Sequence, residues 1–160
     1  MADSEAITAH PVVSRLNAWD ASAIAQAEIF RGELTITVTR ENLRRACDFL
    51  RSDAALQFTF LSDLTGVDRF PVEPRFEINY HLLSMSRREG LRVKARASGH
   101  DPVLPSVTAV WPTANWHERE VFDLFGIHFR NHPDPRRILM PEDWEGHPLR
   151  KDYPIHGPRA

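Results

Sequence analysis

Long apolar runs are missing from this chain. No stretch approaches the roughly 18 apolar residues that read as a transmembrane helix, so the sequence offers no span of that kind. Cysteine is nearly absent: Cys47 stands alone, which excludes an internal disulfide framework and an iron–sulfur cluster held by four thiolates of this chain. An excess of one charge is also missing. Twenty Lys and Arg face 22 Asp and Glu, a formal net charge of −2, so nothing global draws the chain to nucleic acid or to an acidic membrane surface. The seven glycines form neither a GxGxxG nor a P-loop pattern, and no Gly-x-Ser-x-Gly occurs, which removes the usual signatures of nucleotide binding and of a hydrolase elbow. The N-terminal MADSEAITAH has neither a basic nor an apolar region, giving no expectation of a signal peptide. With 42% hydrophobic and 26% charged residues, the expectation is an intracellular soluble protein with room for one sizeable core.

What is present is organised by period. Residues 1–10 are small and polar and read as a frayed terminus. Val12, Leu16 and Trp19 follow Pro11 at helical spacing, which predicts a helix. Strands are expected at 24–30 and 34–39, joined by a turn at Arg31-Gly32-Glu33. Residues 41–52 place Leu43, Ala46, Cys47 and Leu50 on one helical face, so Cys47 reads as a packed core thiol. A strand at 56–61 runs into SDLTGVDRF, where Asp63, Thr65, Gly66 and Asp68 read as turn formers. Two more strands, 76–83 and 91–97, are joined by SMSRREG. In the second, Arg92, Lys94 and Arg96 share a face, which reads either as a charge-protected edge strand or as a basic strip for an acidic partner. Residues 99–113 carry three prolines and are expected to be irregular apart from a short turn at 106–110. Strands outnumber helices and come as hairpins. The fold class is therefore α+β, a mainly antiparallel or mixed sheet with helices on one face over residues 1–130, followed by an extended Pro-rich ribbon over 131–160.

The stretch 115–154, NWHEREVFDLFGIHFRNHPDPRRILMPEDWEGHPLRKDYP, organises the rest. Asn115 suits an N-cap with Glu118 in capping-box position, and Gly126 suits a left-handed C-terminal cap. Val121, Phe122 and Phe125 make an apolar stripe with Glu118 at its N-terminal end. Trp116, Arg119, Glu120 and Asp123 gather opposite, with Arg119 and Asp123 spaced for an i,i+4 pair. Beyond Gly126 come Pro133, Pro135, Pro141, Pro148, Pro154 and Pro158, which disfavour helix and central strand. Yet Ile138, Leu139, Met140, Trp144, Leu149 and Tyr153 are too apolar for a disordered tail. Spaced apolar anchors with cations between them are what wrapping on a partner requires.

Catalytic chemistries find little here. His117-Glu118 begins like HExxH, but position 121 is Val. His128, His132, His147 and His156 give a weak zinc or copper pattern, broken by Gly126 and Pro133, and a free-standing His-ligated metalloenzyme is one alternative. Glu118 with Glu120, or Glu142 with Asp143, would serve as acid–base pairs only at a separation the sequence does not set. By residue content the chain shows no catalytic, cofactor or metal site of its own.

The runs Glu118-Arg119-Glu120-Val-Phe-Asp123-Leu-Phe-Gly126-Ile, His132-Pro133-Asp134, Arg136-Arg137-Ile138-Leu139 and Glu145-Gly146-His147-Pro148-Leu149-Arg150-Lys151-Asp152-Tyr153-Pro154 carry a resemblance. They closely resemble the 30-kDa subunit, also called the C subunit, of bacterial NADH:quinone oxidoreductase, respiratory complex I. The Gly-Glu-Leu-Thr strand and SDLTGVD resemble it less specifically. Pro135 stands where Leu is common, and Met-Pro-Glu-Asp-Trp at 140–144 differs from the Tyr-Gly-Phe type of other branches.

The resemblance implies a peripheral-arm protein on the cytoplasmic side of the bacterial inner membrane, attached through the complex. FMN, iron–sulfur clusters and quinone would be bound by partner subunits. The chain would pack against the D subunit, which forms much of the quinone chamber, with its tail along its neighbours, and would bind no nucleic acid. Glu118, Arg119, Glu120, Asp123, Arg136, Arg137, Arg150, Lys151 and Asp152 would be interface or interdomain ion-pair residues, joined by Trp116, Trp144, His147 and Tyr153. The homologous subunit of a membrane-bound hydrogenase or formate hydrogenlyase is the other reading within the family.

Overall fold

The computed structural model describes residues 2–156, with side chains from residue 5 onward. The N-terminus is a helix rather than a frayed end: α1 spans Ala2–Ala9. Helix α2 (Pro11–Trp19) starts as the sequence predicts, with Pro11 in its first turn, and His10 accepts the Val12 N–H. The hairpin β1 (Ile24–Phe30) and β2 (Glu33–Val38) and helix α3 (Leu43–Ser52) also follow the predicted periods.

The next strand is displaced. Residues 53–59 turn instead of pairing, because the Asp53 carboxylate accepts the N–H groups of Ala55 and Leu56. Leu56 and Phe58 are buried all the same, which is why their pattern resembles a strand. Strand β3 runs Phe60–Asp68, through the residues that read as a loop. Gly66 is there for packing: a Cβ would lie 2.9 Å from Phe125 Cδ2. Strands β4 (Phe76–Ser84) and β5 (Glu89–Ala97) form the expected hairpin. Short β6 (Val103–Pro105), within the stretch expected to be irregular, pairs in parallel with β7 (His128–Arg130) on either side of α4 (Ala114–Phe125).

The main sheet has the order β1-β2-β5-β4-β3. Only the β2–β5 pairing is parallel, so the sheet is mixed. Strand β5 is therefore central, which corrects the edge-strand reading of Arg92, Lys94 and Arg96. The register sorts the side chains by face. Ile36, Ile78, Tyr80, Leu82, Val93 and Ala95 point into the core, where Val12 and Leu16 of α2, Leu43, Cys47 and Leu50 of α3, and Val121 and Phe125 of α4 meet them. The other face carries Thr35, Thr37, Glu77, Asn79, His81 and the three cations of β5. Cys47 is fully buried, and burial pushes its thiol well above the ordinary range, as expected of a core residue.

Residues 131–156 contain no helix or strand. They form a succession of turns, with Asn131 and Gly146 at positive φ, rather than a continuous extended ribbon.

Candidate functional site

Helix α4 and the segment after β7 form one unit. The helix begins at Ala114 after Thr113, which makes no side-chain cap bond, so Asn115 lies inside it. Gly126 closes the helix in the left-handed region at φ 71°, as its position predicts.

Glu118 faces inward and is 0% exposed. Its Oε1 accepts the Val107 N–H at 2.7 Å and its Oε2 accepts the Ser106 hydroxyl at 2.7 Å. The expected capping box is thus replaced by a bond across to the β6–α4 connection. Burial raises its carboxyl to about 7, against the two hydrogen bonds that favour the charged form. His132 Nε2 lies 3.8 Å away with its ring 3% exposed. His132 Nδ1 accepts the Asp134 N–H, and Nε2 lies 3.1 Å from the Asn115 carbonyl oxygen, to which its N–H donates.

Asp123 is also buried in this chain, not on an outer helix face. Its Oδ2 accepts three successive backbone N–H groups, from Ile138, Leu139 and Met140, at 3.0, 2.7 and 2.8 Å. Arg137 Nη1 donates to Oδ1 at 2.6 Å. Burial opposes ionisation, but these donors hold the carboxyl below the usual range. Arg137 then reaches on to the carbonyls of Trp144 and Gly146, 3.0 Å each. His147 Nδ1–H donates to the Asp123 carbonyl at 2.9 Å. The i,i+4 pair of Arg119 with Asp123 does not form; Arg119 donates instead to the carbonyls of Arg136 and Arg137. It also stacks over the Trp116 ring at 5.2 Å.

A second anchor lies further along. Arg75, from the β3–β4 connection, forks onto both oxygens of Asp68 and both oxygens of Asp152, at 2.7–2.9 Å. Asp68 also accepts the Lys151 N–H. Burial works against its ionisation, yet the Arg75 guanidinium and the backbone donors bring it down to about 2. Arg150 Nε donates to the Phe125 carbonyl at 2.6 Å, and its guanidinium lies over Phe76. The Tyr153 hydroxyl meets the Glu145 carbonyl at 3.3 Å.

The structure therefore brings Glu118, Arg119, Asp123, Arg136, Arg137, His147, Arg150, Asp152 and Tyr153 into contacts within the chain. Trp144 contributes its carbonyl, and its indole N–H is buried with no acceptor among the described residues. The Glu120 and Lys151 side chains remain exposed, and Trp116 is 63% exposed. Leu139, Leu149 and Ile155 are likewise uncovered.

Sequence reasoning missed Asp68, Arg75 and Ser106 as partners of this segment. Asp68 sits where turn chemistry was read, and nothing local marks Arg75 as a two-sided fork. The histidines serve separate tasks: His128 lies exposed on β7, His132 under α4, and His147 on the Asp123 carbonyl. Among the described residues, no three of His, Cys, Asp and Glu are placed to hold a metal ion.

Comparisons with known proteins cover most of the chain. Residues 36–159 match the family described as "Respiratory-chain NADH dehydrogenase, 30 Kd subunit". A Roseiflexus sp. (strain RS-1) protein, named as the C subunit of an NADH-quinone oxidoreductase, is 51% identical, over 90% of this chain and 83% of its own length. The Geobacter sulfurreducens protein of the same name is 49% identical, over 86% of this chain and 85% of its own length. The solved trypsin-resistant fragment (1-134) of Nqo5 superposes with a TM-score of 0.67 at 33% identity, covering 77% of this chain and 98% of that one. A chain of the membrane-bound sulfane sulfur reductase, an archaeal respiratory membrane complex, gives a TM-score of 0.75 at 24% identity, over 90% of this chain and 84% of its own, a likeness of fold alone. With most of its length matched by the family and by relatives near half identical, this chain belongs to the 30-kDa subunit family of the respiratory-chain NADH dehydrogenases.

Proposed function

We propose that the chain is a peripheral-arm component of a proton-translocating NADH:quinone oxidoreductase and that its task is structural. It holds partner subunits in place while FMN, iron–sulfur clusters and quinone are bound by those partners. The observation that supports this reading most directly is that Arg137, Arg150 and Asp152 of the charged C-terminal run fasten its turns to α4 and to the β3–β4 end of the sheet. These side chains bond backbone carbonyls and charged partners of the same chain. Once fastened, the segment offers Trp116, Glu120, Leu139, Lys151 and Leu149 outward, a mixture of aromatic, aliphatic and charged groups suited to a protein interface. The D subunit is the neighbour assigned to this surface. Among the described residues no helix is long and apolar enough to cross a membrane. Attachment through the complex, on the cytoplasmic side of the inner membrane, fits that observation.

The test is an affinity pull-down of the tagged chain from solubilised native membranes, read by mass spectrometry. Recovery of flavin and iron–sulfur subunits with NADH:quinone activity bears the reading out. Recovery of a nickel hydrogenase moves the chain to the sister complex. Recovery of the chain alone sinks it.

A further inference from the structure

We propose that the helix-free face of the sheet, around Arg69, Lys94 and Arg96, is a second docking surface and receives an acidic segment of a neighbouring subunit. The proposal rests on the assignment of the chain to the complex, and it concerns a face that the C-terminal segment does not use.

The charge balance on that face is uneven. Register places Val67, Glu77 and Arg96 side by side across β3, β4 and β5, and Thr65, Asn79 and Lys94 in the next row. Glu77 is the carboxylate of these two rows. It faces three cations: Arg96 at 3.0 Å, Lys94 at 3.3 Å and Arg69 at 3.9 Å. One negative charge against three leaves a surplus of two positive charges, in a chain whose net charge is −2.

The other acids near this end lie off the two rows, and two of them face cations of their own. Asp68 is held by Arg75, and Asp101 by Arg40. The Glu73 carboxylate accepts the backbone N–H groups of Arg75 and Gly99 and keeps its negative charge beyond the margin of the two rows. Arg92, the third cation of β5, is matched by Glu33 at 3.1 Å at the other end of the face. The surplus is thus local to the Glu77 end.

Apolar groups stand at the same end. Val67, cross-strand from Glu77, is 43% exposed, and Phe70 and Val72, in the turn that begins at Arg69, are 47% and 51% exposed. An arginine-rich patch with uncovered aromatic and aliphatic groups at its margin has the composition of an interface. Its charge selects the partner: a segment bearing two or more carboxylates would neutralise the surplus, whereas a basic segment would be repelled. Arg69, Lys94 and Arg96 retain 22–33% side-chain exposure, so each can bond outward while keeping its hold on Glu77.

Lysine chemistry gives a direct test, because Lys94 and Lys151 are the only lysines of the chain. The assembled complex and the free chain are acylated with a water-soluble amine reagent and then digested, and the two lysines are read separately, since Lys151 lies on the surface proposed for the D subunit and reports on that contact instead. The expected result is several-fold slower modification of Lys94 in the complex, together with a carbodiimide cross-link from Lys94 to an Asp or Glu of another subunit. Equal modification in both states, or cross-links to Glu77 alone, would overturn the proposal. As a second measurement, Arg69→Gln with Lys94→Gln keeps the Arg96–Glu77 bond. This variant should melt like the wild type but lose partner subunits several-fold more readily at about 0.05 M salt, a difference that shrinks at about 0.3 M, where surface attraction is screened. A folded variant retained as tightly as wild type also counts against it. Failure of the family reading would look different, since the wild-type chain would then bring down no respiratory subunits.

Discussion

Asp123 and Arg137 meet at 2.6 Å, and through that contact the last turn of α4 is tied to residues that follow it by more than a dozen positions. The carboxylate takes three backbone N–H groups beyond the arginine, while the arginine passes on to the carbonyls of Trp144 and Gly146. Asp123→Ala should therefore strand several donors at once. Amide exchange at Ile138, Leu139 and Met140 is expected to rise toward that of free chain, whereas β4 amides should follow only the global loss of about 3 kcal/mol. Unaltered protection at those three amides would show that the segment is held by other contacts.

Arg75 binds a buried and an open carboxylate with equal geometry, so the two partners should differ in consequence. Removing Asp152, whose side chain is 46% exposed, should cost under about 1 kcal/mol. Arg75→Met leaves the nearly inaccessible Asp68 charge without its counter-ion and should cost about 3–5 kcal/mol. Urea unfolding of the two variants gives the order directly, and a reversed order would refute the assignment.

Glu118 sets a pH dependence. In the folded chain it keeps its proton up to about 7, whereas unfolded it releases the proton near 4.5. Between those values the folded state binds the additional proton, so this contribution is full below pH 4.5 and is lost as pH rises through 7. The total is about 3 kcal/mol. His147 acts with the opposite sign: burial lowers its value, so its contribution falls as pH drops below the ordinary 6.5. Glu118→Gln separates the two, and its unfolding midpoint should lack the decline from pH 5 to 8 expected of the wild type. An unchanged slope would mean that Glu118 ionises freely in the fold.

Gly126 has a double requirement: positive φ and a surface against His147, where a Cβ would come within 2.5 Å of the ring. Gly126→Ala should lower stability by about 1–3 kcal/mol and displace His147 from the Asp123 carbonyl. Gly32, also at positive φ, has open space around it, so Gly32→Ala should show the smaller loss in a thermal melt.

The sequence was informative wherever a period ran unbroken. Leu43, Ala46, Cys47 and Leu50 announced α3, and alternation from Val93 to Ala97 announced β5. It was misleading where one residue type serves two physical purposes. Gly66 and Asp68 carry turn chemistry in isolation, yet the first is small to admit Phe125 and the second is charged to receive Arg75. Cations at every second position suggest an edge, and only pairing with β2, some 55 residues away, makes β5 central. The charged residues of the C-terminal segment were recognised as belonging together. That they bond first within their own chain depends on Asp68 and Arg75, distant in sequence, and on α4 burying two carboxylates that a helical wheel leaves ambiguous. Cutting away residues 131–160 would consequently uncover Asp123, and point substitutions are the cleaner probe of assembly.

Anchoring by Asp123 and by Arg75 has a thermodynamic corollary. More than twenty residues without helix or strand have their conformational entropy removed during folding of the chain itself, so a partner need not supply that free energy on contact. Association is expected to proceed as the meeting of two shaped bodies, with a modest heat-capacity change confined to the newly covered apolar area. The large signature of a segment that folds as it binds should be missing.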